Sequence, residues 1–375
     1  MYKFVIAPDS YKGTMSSIDA AGIMEKGLKK VDPTIETIKI PVADGGEGTV
    51  EAYIAALGGT AVVCDVTGPM LSKTTASYGI LDDGTAVMEM AQASGLMLVG
   101  DDKNPLEATT LGTGQMIADA LNRGVKKIVI GIGGSATNDG GIGMASALGV
   151  RFLDRNGKDI PPTGGGLALL SRIDVQGFDK RVKDTEILVA CDVDNPLYGP
   201  NGASHIYAPQ KGATPEMVEI LDRNLKQFAQ ICERDTGVKV DDIPGGGAAG
   251  GLGAGLIAFC GARLQSGIRL ILDMVKFEEK AAWADFIITG EGKIDGQSLR
   301  GKVPAGVAAR SLGRPVIAIV GDIGDPIEEV YSTGICAVLS TNRVALPFSE
   351  SKLRAKRDLE KTAETVMRMI RLAGK

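Results

Sequence analysis

The stretch KKIVIGIGGSATNDGGIGMASALGVRFLD, Lys126 to Asp154, runs a β-branched strand into a loop dominated by Gly, Ser, Thr, Asn and Asp. Such a loop exposes backbone amides, because glycine lets the chain turn sharply and approach a ligand closely, and it suits an anion such as phosphate. A strand leading through a glycine-rich turn toward a helix is also the repeating step of α/β proteins, and the rest of the chain continues it.

The N-terminal third alternates: KFVIA (3–7) reads as a strand, Ser17 to Lys30 as a helix with Ser16 or Ser17 as its cap, TIETIKIPVA (34–43) as a strand, and TVEAYIAALG (49–58) as a helix. From Thr60 to Met90 the text changes to AVVCDV, TTASYGIL and TAVMEM joined by Gly, Pro and Asp turns, which predicts a meander. Strand-like runs return at 126–132, 150–154, 185–191, 284–290 and 314–321, and long helical text fills Pro215 to Thr236 and Glu350 to Leu372. The fold class expected is α/β with two unlike α/β domains. One is a Rossmann-like doubly wound parallel sheet built from 1–67 and 271–375; the other, 68–270, is inserted within it and carries a mixed sheet.

With 375 residues, 44% of them apolar, two domains with real cores are expected. Fifty-one glycines lie in scattered clusters between apolar runs, so they serve individual loops rather than a low-complexity chain. A net charge of -5 and only 4% aromatic residues supply neither a basic footprint nor a stacking platform, which argues against nucleic acid as a partner. No apolar run has the length of a membrane span, and MYKFVIAPDS leads into a strand rather than a signal segment, so no membrane partner and a cytoplasmic location are expected. Five dispersed cysteines and the single His205 suggest neither a disulfide framework nor a zinc site.

Four further segments mix glycine with fixed charges after an apolar run: APDSYKGT (7–14), VADGGEGT (42–49), ACDVDNPLYGPNGAS (190–204) and TGEGKIDGQSLRGKVPAG (289–306). In open α/β sheets ligands bind at the carboxyl ends of strands, which is where these loops fall. They offer cations, acids and amides together, the inventory of phosphoryl transfer: amides and Lys for phosphate oxygens, carboxylates for Mg²⁺ and for orienting a hydroxyl. GQSLRGKV (296–303) imitates a P-loop but has Val303 in place of the Ser or Thr that binds Mg²⁺. Gly131, Gly133 and Ala136, with Asp154 further on, imitate a dinucleotide fingerprint, yet Thr137 to Gly141 postpone the helix and put Asp139 where a pyrophosphate would lie.

These segments, with PGGGAAGGLGAG (244–255), resemble in order the bacterial glycerate kinase family of the glycerate 2-kinase type over nearly the whole chain. The resemblance implies ATP-dependent phosphorylation of D-glycerate, two unlike α/β domains and a site in the cleft between them. ATP, Mg²⁺ and glycerate are the expected ligands, and homodimer formation stays open. Chemistry then suggests roles. Gly133, Gly134, Ser135, Thr137 and Asn138 cradle ATP phosphates, with Lys293 or Lys302 adding charge. Asp192, Asp44 and Glu47 are candidates for the metal, and Asp192, Asp44 and Lys12 for catalysis. Asp9, Ser10, Lys12 and Arg300 are candidates for glycerate. Structural alternatives stand beside them: Asp44 as a helix cap, Lys12 paired with Asp9, Ser135 as an N-cap.

Overall fold

The computed structural model describes residues 1–43, 45–295 and 302–373. In chain order the first ten strands are β1 (Lys3–Pro8), β2 (Glu36–Lys39), β3 (Thr60–Thr67), β4 (Lys73–Ile80), β5 (Ala86–Glu89), β6 (Lys127–Gly131), β7 (Arg151–Leu153), β8 (Arg172–Asp174), β9 (Glu186–Ala190) and β10 (Arg263–Gln265). They are followed by β11 (Phe286–Gly290), β12 (Lys293–Ile294), β13 (Val316–Val320), β14 (Asp322–Ile323) and β15 (Ile335–Ser340). Two compact units result: Met1–Asp44, Glu51–Gly58 and Ser266–Lys375 form the first, Gly45–Val50 and Gly59–Gln265 the second.

The first unit is built on a five-stranded, wholly parallel sheet in the order β15-β13-β11-β1-β2. The central strands are apolar on both faces, as a sheet covered on two sides requires. Phe4, Ile6, Ile288 and Ile319 pack with Met24 and Leu28 of the helix Ser17–Val31 and with Leu359 and Met367 of the helix Ala355–Ala373. Val5, Ala7, Ile287 and Ala318 alternate with them and point to the other face, where helices Phe277–Trp283 and Val303–Ala309 lie against β1. Counted within the unit, the strand order is 2-1-3-4-5, a doubly wound sheet whose chain reverses direction between β1 and β11. The parallel α/β expectation therefore holds, and ICAVLS, which sequence patterning passed over, supplies the edge strand β15.

Helix ends follow local chemistry. Ser16 caps the first helix by accepting from the Asp19 amide. Its buried face is Ala20, Ala21, Met24, Gly27 and Leu28, while Ile18 stays outside it. Gly27 is obligatory there: a Cβ would stand 2.4 Å from the Glu360 carbonyl oxygen and 2.7 Å from Ala363 Cβ.

The second unit carries a mixed sheet, β10-β9-β6-β5-β4-β3. Strands β10, β9, β6 and β5 are parallel, while β5, β4 and β3 form the antiparallel meander read from residues 60–90. Met88, Ile128, Ile130 and Val189 pack with Met116 and Ile117 of the helix Leu111–Asn122. Strand β7 does not join this sheet but pairs with β8 in a separate antiparallel ribbon. That placement removes the dinucleotide reading, since the strand bearing Asp154 is not beside β6 and the helix after the glycines begins only at Ile142. The Asp154 carboxylate instead closes a turn by accepting from the amides of Asn156 and Lys158.

Candidate functional site

In the first unit the topological switch point places two loops side by side. Strand β1 ends in Asp9-Ser10-Tyr11-Lys12 and β11 ends in Glu291-Gly292-Lys293, and the Asp9 amide donates to Gly290 O at 2.8 Å. Gly290 is fixed by crowding, because a Cβ would lie 2.0 Å from Ile319 O and 2.5 Å from the Tyr11 hydroxyl. That hydroxyl donates to Ile319 O. Asp9 and Glu291 are both buried beside Tyr11. Burial, then the charges of Glu291 and Asp9, push the Tyr11 phenol well above its ordinary range. The switch point therefore carries two buried acids at the ends of neighbouring strands.

The remaining predicted groups of this unit take different places. Ser10 is half-buried, its amide donating to Asp9 Oδ1 at 2.6 Å. Lys12 is exposed and lines a cavity of about 200 Å³ with Tyr11, Thr14, Gly292, Asn342 and Lys352. Lys293 is exposed and reaches Asp295 at 3.8 Å. Lys302 is half-buried at the entry to the helix Val303–Ala309. Arg300 and Asp44 lie outside the described residues, as does most of the P-loop-like text.

In the second unit three loops converge over the carboxyl ends of adjacent strands. Strands β6 and β9 pair with Gly131 opposite Ala190, so the glycine loop and the Cys191-Asp192-Val193-Asp194 turn leave the sheet as neighbours. The Gly45-Gly46-Glu47-Gly48 loop lies across both. A Cβ on Gly131 would sit 2.3 Å from Gly45 O, and one on Gly45 would sit 2.7 Å from Ala190 Cβ. Only glycine permits such close backbone approach. The loop is tied down by Glu89, a buried acid at the end of β5 whose Oε1 accepts from the Val50 amide at 3.0 Å. No motif marks Glu89 in the sequence; the apolar run TAVMEM hides it.

Gly133 and Gly134 are exposed at the tip of the loop, as are Glu47, Asp192 and Asp194 on the neighbouring segments. Ser135 is buried, and Thr137 and Asn138 are fully so. The Thr137 hydroxyl faces Ala249 O, and Asn138 Nδ2 donates to Ser204 Oγ at 3.0 Å. The uncharged glycine segment packs here: Gly140 N donates to Gly250 O, and a Cβ on Gly250 would stand 2.0 Å from Thr137 O. Close packing explains its glycines. Asp139 turns inward, where its carboxylate accepts from the Thr110 amide and hydroxyl and from the amides of Gly141 and Gly143. Burial lifts its pKa above the usual carboxylate range against the pull of those four bonds.

Lys211 was not legible in the sequence as a site residue. It is 2% exposed beneath the loop, and Nζ donates to Ser135 Oγ and to Thr137 O, both at 2.7 Å. Burial pushes its pKa down to about 7, with the Asp139 charge opposing.

The donor set suits the expected ligands. Exposed glycine amides match phosphate oxygens, and exposed carboxylates match Mg²⁺, which keeps water and phosphate ligands and needs only one or two carboxylates from protein.

Comparison with known proteins agrees with this architecture. The model of the glycerate kinase family matches residues 4–371. The glycerate kinase of Bacillus subtilis (strain 168) is 48% identical over 375 residues, covering 99% of this chain and 98% of that protein. The glycerate 2-kinase of Escherichia coli (strain K12) is 51% identical over 342 residues, 90% of each chain. A crystal structure of a proposed glycerate kinase 2 from Salmonella typhimurium LT2 superposes with a TM-score of 0.91 at 46% identity, covering 100% of this chain and 99% of that one. The chain belongs to the glycerate kinase family.

Proposed function

We propose that the protein transfers the γ-phosphoryl group of ATP to the 2-hydroxyl of D-glycerate, giving 2-phosphoglycerate and ADP. The observation that supports the reading is the pairing of β6 with β9, from whose neighbouring carboxyl ends the loop of the exposed Gly133 and Gly134 and the turn of the exposed Asp192 depart. Amides bind phosphate oxygens; a carboxylate orients the hydroxyl or holds the metal. The choice of the 2-hydroxyl is supported by the name of the Escherichia coli relative.

Roles follow from charge and exposure. Gly133 and Gly134 take the phosphates, with Ser135, Thr137 and Asn138 shaping the loop from beneath and Lys293 and Lys302 adding charge. Lys12, with Asp9, Ser10 and Arg300, binds glycerate. Asp192, Glu47 and Asp44 hold Mg²⁺, which neutralises charge on the phosphates when bound. Asp192 also orients the attacking hydroxyl; as the new O–P bond forms, the bond between the γ-phosphorus and the β,γ-bridging oxygen breaks, ADP departs, and the hydroxyl proton passes to solvent. The transition state is loose, so positioning matters more than a strong base. The setting is a cytoplasmic enzyme of organic-acid metabolism.

The test is incubation with Mg²⁺, ATP and D-glycerate while ADP is followed. Glycerate-dependent ADP release is expected; NADH formation from NAD⁺ and glycerate, with no ADP release, would refute the proposal.

A further inference from the structure

We infer that Lys211 is the positioning residue of the phosphate loop, a buried amine that holds Gly133 and Gly134 outward and, when protonated, adds positive charge behind their amides. The inference rests on reading that loop as the phosphate cradle. It names a residue that lies outside every glycine-rich motif.

The loop is pinned to the segment after β5 by backbone bonds: Leu96 N donates to Gly134 O and Ala136 N to Ser94 O. On the inner side the pin is Lys211. Its ammonium bridges two points of one turn, Ser135 Oγ and Thr137 O, and so fixes the chain on the buried side of the two exposed glycines. Ser135 Oγ accepts from the ammonium, which leaves its own proton free to be donated.

An isolated buried ammonium is costly, so its placement needs a reason. Among the described residues the acid that acts on it electrostatically is Asp139, and no salt bridge joins the two. Asp139's oxygens are already engaged by Thr110, Gly141 and Gly143. The positive charge is thus directed toward the loop rather than spent on a close ion pair. A phosphate arriving at the Gly133 and Gly134 amides supplies negative charge on the other side of the turn that the ammonium holds, and burial of the ammonium strengthens the attraction. Gly212 lets the chain place the lysine: it has φ +92°, and a Cβ would stand 2.6 Å from Lys103 Cβ and from the Lys103 carbonyl oxygen.

The test compares wild type with Lys211→Met, Ser135→Ala and Gly133→Ala in the full chain. KM for Mg-ATP and for D-glycerate is measured, together with inhibition by Mg-tripolyphosphate and by adenosine. In Lys211→Met, KM for ATP and the inhibition constant of tripolyphosphate should rise by about tenfold, the scale of one charge-assisted hydrogen bond. Adenosine inhibition and KM for glycerate should hold, a split that a general loss of structure would not give. If Lys211→Met does not fold, Ser135→Ala, which removes only the hydroxyl linking lysine to loop, should show the same split at smaller size. Unchanged tripolyphosphate inhibition in both variants overturns the role of Lys211. If Gly133→Ala weakens tripolyphosphate in that case, the phosphate loop stands without Lys211. If it does not, the reading of the loop falls as well.

Discussion

Replacing Asp139 by Asn separates two roles a buried acid in a glycine-rich loop can have: binding metal or bracing the turn. Oδ2 accepts from the Thr110 amide at 2.8 Å, the Thr110 hydroxyl at 2.7 Å and the Gly143 amide at 3.3 Å, and Oδ1 accepts from the Gly141 amide at 3.0 Å. An Asn side chain best keeps its oxygen on the Oδ2 side, which turns its NH₂ toward Gly141 N–H and orphans that donor at a cost of about 1–3 kcal/mol. The three retained bonds lose charge assistance, about 1 kcal/mol each. Relief of the buried charge offsets part of this, in keeping with the raised pKa of Asp139. The net loss is about 2–4 kcal/mol, which for a unit of about 200 residues lowers Tm by roughly 5–15 °C. Calorimetry paired with kcat measured well below the transition is the assay. A variant that melts within about 1 °C of wild type yet loses kcat by orders of magnitude would refute the bracing role.

Asp192→Asn should do the opposite. Its side chain is exposed, so stability should change by no more than about 0.5 kcal/mol while kcat falls by about a hundredfold or more; wild-type turnover would remove Asp192 from the chemistry. Gly27→Ala adds a methyl against the Glu360 carbonyl and Ala363, and although it gains about 1 kcal/mol of helix propensity, overpacking should leave it about 1–2 kcal/mol less stable in urea melts. A more stable variant would show that the two helices separate freely. Burial alone would raise Glu25, but hydrogen bonds from Lys29, Lys39 and Thr37 hold its pKa at about 2 against an ordinary 4.5. The stability it contributes is therefore present above pH 4.5 and lost as pH falls from 4.5 to 2, and Glu25→Gln should flatten the urea midpoint over that window. An unchanged slope would show that the ion pairs contribute nothing.

Most of the fold was legible because its signals are local. The strands at 3–8, 127–131, 186–190, 286–290 and 316–320 are short apolar runs rich in Val and Ile, and the helix Pro215–Thr236 is marked by a Thr214 cap and a closing Gly237. What escaped depends on contacts distant in sequence. Arg151–Leu153 reads as a sheet strand, yet its partner is Arg172–Asp174, and no periodicity reveals which strand a short run will join. The site divides in the same way. Glycine loops at strand ends announce an exposed backbone, and Gly133, Gly134 and Asp192 are exposed at such ends. Glu89 and Lys211 act from below, through hydrogen bonds spanning 39 and 76 residues, and look in sequence like an ordinary strand acid and a surface lysine. Asp139 was visible but its direction was not, because an acid among glycines can face ligand or core with equal local sense.

Proton-coupled phosphorus NMR of the product decides whether the phosphoryl group goes to the 2-hydroxyl of glycerate. Phosphorus on O2 couples to the one proton of the carbinol carbon and gives a doublet; on O3 it couples to the two methylene protons and gives a triplet. A doublet that grows with ADP is expected, whereas a triplet, or inorganic phosphate as the only new signal, would refute transfer to the 2-hydroxyl.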